Sequence, residues 1–264
     1  MEQLKGILFI DIETVPIVPD FSLLSQTMQN EWIRKAKSLS SRAESRDENT
    51  SPEALFADKA GIFSEFAKVV CISFGSLHEH DNGLKMRLKS LVNDDEKVLL
   101  NDFCEVIDRF AKHHKEIRFC GHNIKEFDIP FICRRMVIND IPLPHCLQIS
   151  GKKPWEMTHL DTLELWKFGD HKNFTSLSLL AAVLGIPSPK SDIDGSMVAG
   201  VYWHDKDLAR IGKYCIQDVL TSAKVYLKLK GITNIEIETV IVIDYRFNFY
   251  IGYAFQLQIY FSAR

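Results

Sequence analysis

Along this chain, short continuous apolar runs alternate with longer stretches in which apolar residues recur every three or four positions. Residues 6–12 (GILFIDI) form a run with β-branched residues, which predicts a buried strand. Residues 68–76 (KVVCISFGS) predict a second strand, and the apolar–charged alternation of LKMRLKSL a half-exposed third. DDEKVLLNDFCEVIDRFAKHH spaces its apolar residues for one helix face. Acids at its start and bases at its end match the helix dipole. IRFCGHN reads as a short strand ending in a turn. FDIPFICRRMVIND then predicts a helix with Pro130 near its first turn, where proline is tolerated. HLDTLELWKF begins as a strand and turns helical, and SLSLLAAVLGI is a helix with a serine cap and a glycine stop. A last helix spans residues 205–230 and ends at Gly231.

This order predicts an α/β domain over residues 1–230, a five-stranded mixed sheet flanked by helices. Residues 20–66 break the rhythm. They are helical in pattern, with a polar stretch at 38–54 that reads as a mobile loop, and they predict a helical insertion after the first strand. Residues 231–264 depart from it again. ITNIEIETVIVID alternates and then turns continuously apolar, and eight aromatics follow from Tyr245 to Phe261, with no charge between Arg246 and Arg264. This tail is short for a membrane span and is broken by Asn248, Gln256 and Gln258. A docked pair of strands, an interfacial or partner-binding segment, and sequence foreign to the fold all fit the pattern.

Composition changes this picture little. The 264 residues are 46% hydrophobic and 25% charged, ordinary for a globular protein. A net charge of −3 argues against a protein that coats nucleic acid through a basic surface. It leaves room for an enzyme whose site is itself acidic. The six cysteines (Cys71, Cys104, Cys120, Cys133, Cys146 and Cys215) lie singly, most of them in apolar runs. They read as reduced thiols acting as small hydrophobes, which suits a cytoplasmic location. The first residues lack the pattern of a signal peptide.

The candidate chemistry lies in a few carboxylates. Asp11 and Glu13 alternate in the first strand and so share a face, although acids are also common at a solvated strand end. Asp128 opens a helix just after Gly121-His122-Asn123, where an acid also serves the helix dipole. Tyr214 and Asp218 are four apart and share one face of the last helix. Acids that converge repel one another unless a cation lies between them. A pair of divalent ions resolves that repulsion, and the arrangement points to metal-assisted phosphodiester cleavage.

Taken in this order and at these separations, D-x-E, N-x-x-x-F-D and Y-x-x-x-D make the chain resemble the DEDD superfamily of 3′–5′ exonucleases. Tyr214 matches the subgroup with tyrosine in the last motif, DEDDy. FAKVVCISFG, GKKPWE, HLDTLELWKFGD, NFTSLSLLAAVLGIPSPKSDIDGS and YCIQDV carry a closer likeness, to bacterial predicted exonucleases related to the proofreading domain of family-B DNA polymerases. The resemblance covers residues 5–230 and does not reach the tail.

It implies a ribonuclease H-like fold and removal of nucleotides from a 3′ end, with release of 5′-monophosphates. The implied substrate is single-stranded DNA or a frayed 3′ end. It also implies two Mg²⁺ or Mn²⁺ ions: Asp11 would bridge both, Glu13 and Asp218 would hold one, and Asp128 would support the other. Tyr214 would orient the attacking water, since a phenol is a poor base at neutral pH. Asn123 and Phe127 would support the aspartate and line the substrate groove, although core packing accounts for Phe127 equally well. Thr14, next to Glu13, joins this substrate-binding set. Lys152, Lys153 and Trp155 suit phosphate contact and base stacking, and a solvated turn with its Trp in the core fits as well. Arg134, Arg135, Lys167 and Lys172 are further phosphate candidates, or solvated charges. Asp161 also matches the family, although a strand-end acid that caps the next segment explains it as well, and it stays outside the catalytic set. His122 reads as a solvent-facing or core-satisfied histidine, with a supporting donor behind the acids as the other reading. Two other functions remain in play. One is the same chemistry on short RNA. The other is a nucleic-acid-binding or proofreading subunit that serves a polymerase in trans.

Overall fold

A computed structural model of the chain describes residues 4–42, 51–80, 83–170, 174–187, 192–232 and 237–245. Six strands form one mixed sheet: β1 (Ile7–Pro16), β2 (Ala67–His80), β3 (Gly83–Val92), β4 (Arg118–Gly121), β5 (Leu160–Asp161) and β6 (Ile237–Tyr245), in the order β5-β4-β1-β2-β3-β6. The strands β1, β2 and β3 form an antiparallel meander, while β4 and β5 run parallel to β1. The helices are α1 (Gln26–Arg42), α2 (Pro52–Lys59), α3 (Glu96–Ala111), α4 (Asp128–Ile138), α5 (Thr162–Lys167), α6 (Leu177–Val183), α7 (Val198–Gly200) and α8 (Leu208–Leu229).

The sheet has six strands, not the expected five. The additional one, β6, comes from the segment read as a tail and pairs in parallel along β3, from Leu84↔Ile237 to Val92↔Tyr245. Its pattern was legible as a strand, but a parallel partner more than 140 residues away leaves no local trace. The aromatic run after Tyr245 lies outside the described residues, as does Lys172.

Strand parity decides which side of the sheet each residue serves. In β1, Leu8, Ile10 and Ile12 pack with Phe103 of α3, Phe119 of β4 and Ile132 of α4. Ile7, Phe9 and Val15 pack on the other face, with Val219, Ala223 and Tyr226 of α8. Asp11 and Glu13 share the parity of Ile7 and Phe9, so both point to the α8 side. That helix comes close to the sheet at Gly212, where a Cβ would meet Val92 Cγ1 at 3.1 Å and Ser90 Oγ at 3.2 Å.

The insertion between β1 and β2 has a small core of its own, in which Trp32 packs edge-on against Phe56 and Phe66. The Trp32 indole N–H donates to the Pro52 carbonyl at 2.7 Å, tying α1 to α2. The polar stretch expected as a loop is helical at both ends. It runs inside α1 to Arg42 and resumes in α2, where Ser51 caps the Ala54 N–H and Pro52 takes the first position. Residues 43–50 lie outside the description. The last long helix starts three residues later than expected, at Leu208. The stretch before it, Val201–Asp205, is a π-turn that ends on Lys206 at φ 57°.

Candidate active site

Three elements deliver the acids. The parity of β1 sets Asp11 and Glu13 side by side, and a bulge between Glu13 and Thr14 follows directly. Asp128 lies in the first turn of α4, and its Oδ1 accepts the Ile12 N–H at 3.1 Å, which docks the helix start on β1. Tyr214 and Asp218 lie one turn apart on α8, and the tyrosine hydroxyl donates to the Asp218 carboxylate. Glu13 and Asp128 are buried, at 8% and 3% exposure, while Asp11, Tyr214 and Asp218 are half-buried.

Electrostatics couples them. Burial, then the charges of Asp128 and Asp218, pushes the Asp11 carboxyl well above the ordinary range, and the Cys215 thiol pulls the other way. Glu13 is raised likewise, by burial and then by Asp11. Burial lifts Asp128 to about 7 against hydrogen bonds that favour its charged form, and it lifts Asp218 to about 6. Tyr214 is pushed far above its usual value, by burial first and then by Asp218, Glu13 and Asp11. It therefore keeps its proton at neutral pH and acts there as a hydrogen-bond donor, not as a base. After burial, the leading influences on the four carboxylates are other acids, thiols, Tyr214 and the backbone N–H groups of Ile12 and Asp128, with no lysine or arginine among them.

Sequence reasoning missed the polar residues around this group. Across the three-stranded meander, Asp11 faces Ser73 and Ser73 faces Ser90, whose hydroxyls are 2.9 Å apart. Cys71, opposite Glu13, contacts Ser90 at 3.2 Å. The Cys215 thiol donates to the Asp11 carbonyl at 3.4 Å and to its Oδ2 at 3.3 Å. Asp11, Glu13 and Cys215 offer ligand atoms all within 4.8 Å of one another. Two of the cysteines read as plain hydrophobes thus border the acids. Extending the Asp11 parity across the meander would have found Ser73 and Ser90, but that needs the register, which only the folded sheet supplies.

The other predicted residues spread over several settings. Asn123, at φ 64°, gives its backbone N–H to Asp161 at 2.9 Å, and Asp161 also accepts from Lys125 N and caps α5 at Leu163 N. Asp161 therefore holds the turn that leads to Asp128. His122 bonds through both ring nitrogens, to Thr162 Oγ1 at 2.9 Å and the Thr175 carbonyl at 2.8 Å, a satisfied structural histidine. Phe127 is half-buried against the α3–α4 core, with its ring centroid 5.4 Å from that of Phe131. Thr14 donates to the Gly61 carbonyl at 2.6 Å. Trp155 is 77% exposed, not in the core, and the Lys153 ammonium lies 5.2 Å from its ring centroid. Among the described contacts, neither Lys153 nor Trp155 reaches the acids. Arg134 is exposed. Arg135 is unavailable to a phosphate: it is buried, forks onto Glu96 at 2.6–3.1 Å and donates to the Ser64 carbonyl.

The chain is similar to the structure of the family B DNA polymerase from the hyperthermophilic archaeon Pyrobaculum calidifontis, with a TM-score of 0.51 over 85% of this chain and 13% sequence identity. At that identity the likeness shows the fold alone, a ribonuclease H-like α/β domain with a mixed sheet flanked by helices. The chain spans 24% of that polymerase chain. Residues 62–239, more than half of the sequence, match a family described as a predicted 3′–5′ exonuclease related to the exonuclease domain of PolB, and the chain belongs to that family. The match includes Asp128, Tyr214 and Asp218 and begins after Asp11 and Glu13. No curated protein sequence matches the chain.

Proposed function

We propose that the protein removes nucleotides from the 3′ end of single-stranded DNA by metal-dependent phosphodiester hydrolysis, releasing nucleoside 5′-monophosphates. One observation carries the reading. Four carboxylates from three elements are all pushed up, by burial first and, for Asp11, Glu13 and Asp128, by acidic neighbours as well, and no lysine or arginine is among the leading influences on them. Burial makes such a cluster of like charges costly unless it binds something positive. A hard-oxygen donor set of this kind fits Mg²⁺ or Mn²⁺, with Asp11, Glu13, Asp128 and Asp218 as the holding residues. When bound, two such ions would neutralise the phosphate and lower the pKa of a water molecule.

The remaining work falls to the protein. Tyr214 stays protonated and donates its hydroxyl hydrogen bond at the edge of the acidic cluster, which suits it to orient a water and not to take its proton. Asp161 fixes the 123–125 turn and so sets the direction in which α4 presents Asp128. The exposed Trp155 and Lys153 form a ready face for a base and a phosphate. The membership of this chain in a family of predicted exonucleases, and the tyrosine one turn before Asp218, support the DEDDy reading.

End-labelled single-stranded DNA, duplex DNA and RNA, each with Mg²⁺ or Mn²⁺, test this reading directly. Stepwise shortening from the 3′ end, fastest on single-stranded DNA and lost with EDTA or in Asp218→Asn, is the expected result. Preference for RNA would move the substrate, and activity that survives Asp218→Asn would remove the assignment. Tyr214→Phe should bind Mn²⁺ as the parent does and turn over about 10–100-fold more slowly.

A further inference from the structure

A cavity of about 520 Å³ lies at the end of the sheet away from the acids. Its position follows from the register. Pairing of β1 with β2 ends at Phe9↔Gly75, so Ser76–His80 run on past the start of β1 as an overhanging hairpin with β3. The C-terminal end of α3 closes the other side with Phe110, His113 and His114. Leu4, Ile7, Leu77 and Leu84, all buried, make an apolar floor. The rim is polar: Lys5, His78 and His113 are exposed and His114 half-buried, with Glu79 as the acid in the lining. From Gly6 to Asp11 and Glu13 is five to seven residues of strand, about 16–23 Å, so this cavity shares no wall with the acidic site.

The lining sorts into two kinds of contact. Phe110 and His114 lie ring to ring, with centroids 4.2 Å apart, and both line the cavity. Lys5 brings a cation, while His78, held by Ser76 at 2.9 Å, and His114 bring ring nitrogens to the same mouth. Burial, with Arg87 beside His78 and His113 beside His114, holds both rings below the ordinary histidine range. At neutral pH each ring is therefore uncharged, with one N–H to donate and one nitrogen to accept, and Lys5 is the cation in the lining. The volume suits a small organic ligand and exceeds what a lone inorganic anion fills.

We propose that this cavity is a second ligand site, which takes a phosphomonoester carried on a flat ring, with the ring on the apolar floor and the phosphate at Lys5, His78 and His114. A nucleoside monophosphate has both halves. The inference does not depend on the exonuclease reading, because none of its residues belongs to the acidic cluster. Glu79 would accept from an amino or hydroxyl group of the ligand and turn away a polyanion whose charge extends past the rim.

Calorimetric titration of the full chain in EDTA tests it, with AMP, adenosine and inorganic phosphate as probes. AMP is expected to bind one to one and to shift the imidazole proton resonances of His78 and His114, with adenosine and phosphate each at least tenfold weaker. Lys5→Gln with His114→Ala, both on the rim, should weaken AMP at least tenfold, and His78→Gln alone should weaken it measurably. Asp218→Asn should leave it unchanged. The proposal is overturned if AMP gives neither heat nor shifts, if adenosine binds as tightly as AMP, or if the rim variants bind like the parent. Loss of AMP binding in Asp218→Asn would place the nucleotide at the acids and likewise overturn it.

Discussion

Replacing Asp128 by asparagine should stabilise the metal-free protein at high pH and leave it nearly unchanged at low pH. The side chain is 3% exposed, and its carboxyl is raised from 3.8 to about 7, chiefly by burial. A carboxyl whose folded pKa lies above its unfolded value holds its proton more tightly in the native state. Its stabilising contribution is therefore complete below about pH 4 and is lost as pH climbs towards 7. A shift of roughly three units, at 1.36 kcal/mol each, makes the full cost of ionising Asp128 about 4 kcal/mol. Between pH 5 and pH 8 the variant's advantage should grow by roughly 2–3 kcal/mol. Asparagine keeps an acceptor for the Ile12 N–H, so the docking of α4 on β1 is not what changes. Thermal melts of both proteins in EDTA, followed by circular dichroism, read this as a Tm gap that widens with pH by about 5–10 °C. Saturating Mn²⁺ should reverse the order, because ions raise the parent more than a variant that has lost one ligand charge. A gap that is independent of pH, or a variant less stable than the parent at pH 8 in EDTA, would refute the claim that unbalanced charge strains this site.

Three further outcomes follow from the packing. Glu96→Ala leaves the buried Arg135 guanidinium without its partner and removes acceptors used by Val69 N and Asn139 Nδ2; urea denaturation should show a loss of about 3–5 kcal/mol. Gly212→Ala puts a Cβ 3.1 Å from Val92 Cγ1 and 3.2 Å from Ser90 Oγ, so these buried side chains must give by a few tenths of an ångström, and the same denaturation should show a cost of about 1–3 kcal/mol. Trp155→Ala, at an exposed position, should change stability by less than about 0.5 kcal/mol. It should weaken binding of fluorescently labelled single-stranded DNA by about 1–3 kcal/mol if a base stacks there.

The local signals in this chain were strong where one element decides its own fate. The capped helices are examples: Asp95 bonds Val98 N, Ser176 bonds Leu179 N, and Gly231 turns left-handed at φ 70° after α8. Alternation in β1 likewise placed Asp11 and Glu13 on one face before any partner was known. Arg135 and Trp155 show the limit of such signals. Both are large residues with a polar group in mixed segments, yet one is buried on Glu96 and the other stands in solvent. Their fates depend on which distant surface comes to meet them.

Sequence alone determined the types of the strongly patterned elements, the α/β order and the spacing of the carboxylate-bearing motifs, because periodicity and capping are interactions among near neighbours. The folded chain decided everything that depends on register and crossover. It made β6 the partner of β3, laid Ser73 and Ser90 in line with Asp11, brought Cys215 to its carboxylate, and opened the cavity under the β2–β3 overhang. Those outcomes rest on pairings between residues dozens to hundreds apart, whose cost and reward appear only once the whole sheet is assembled.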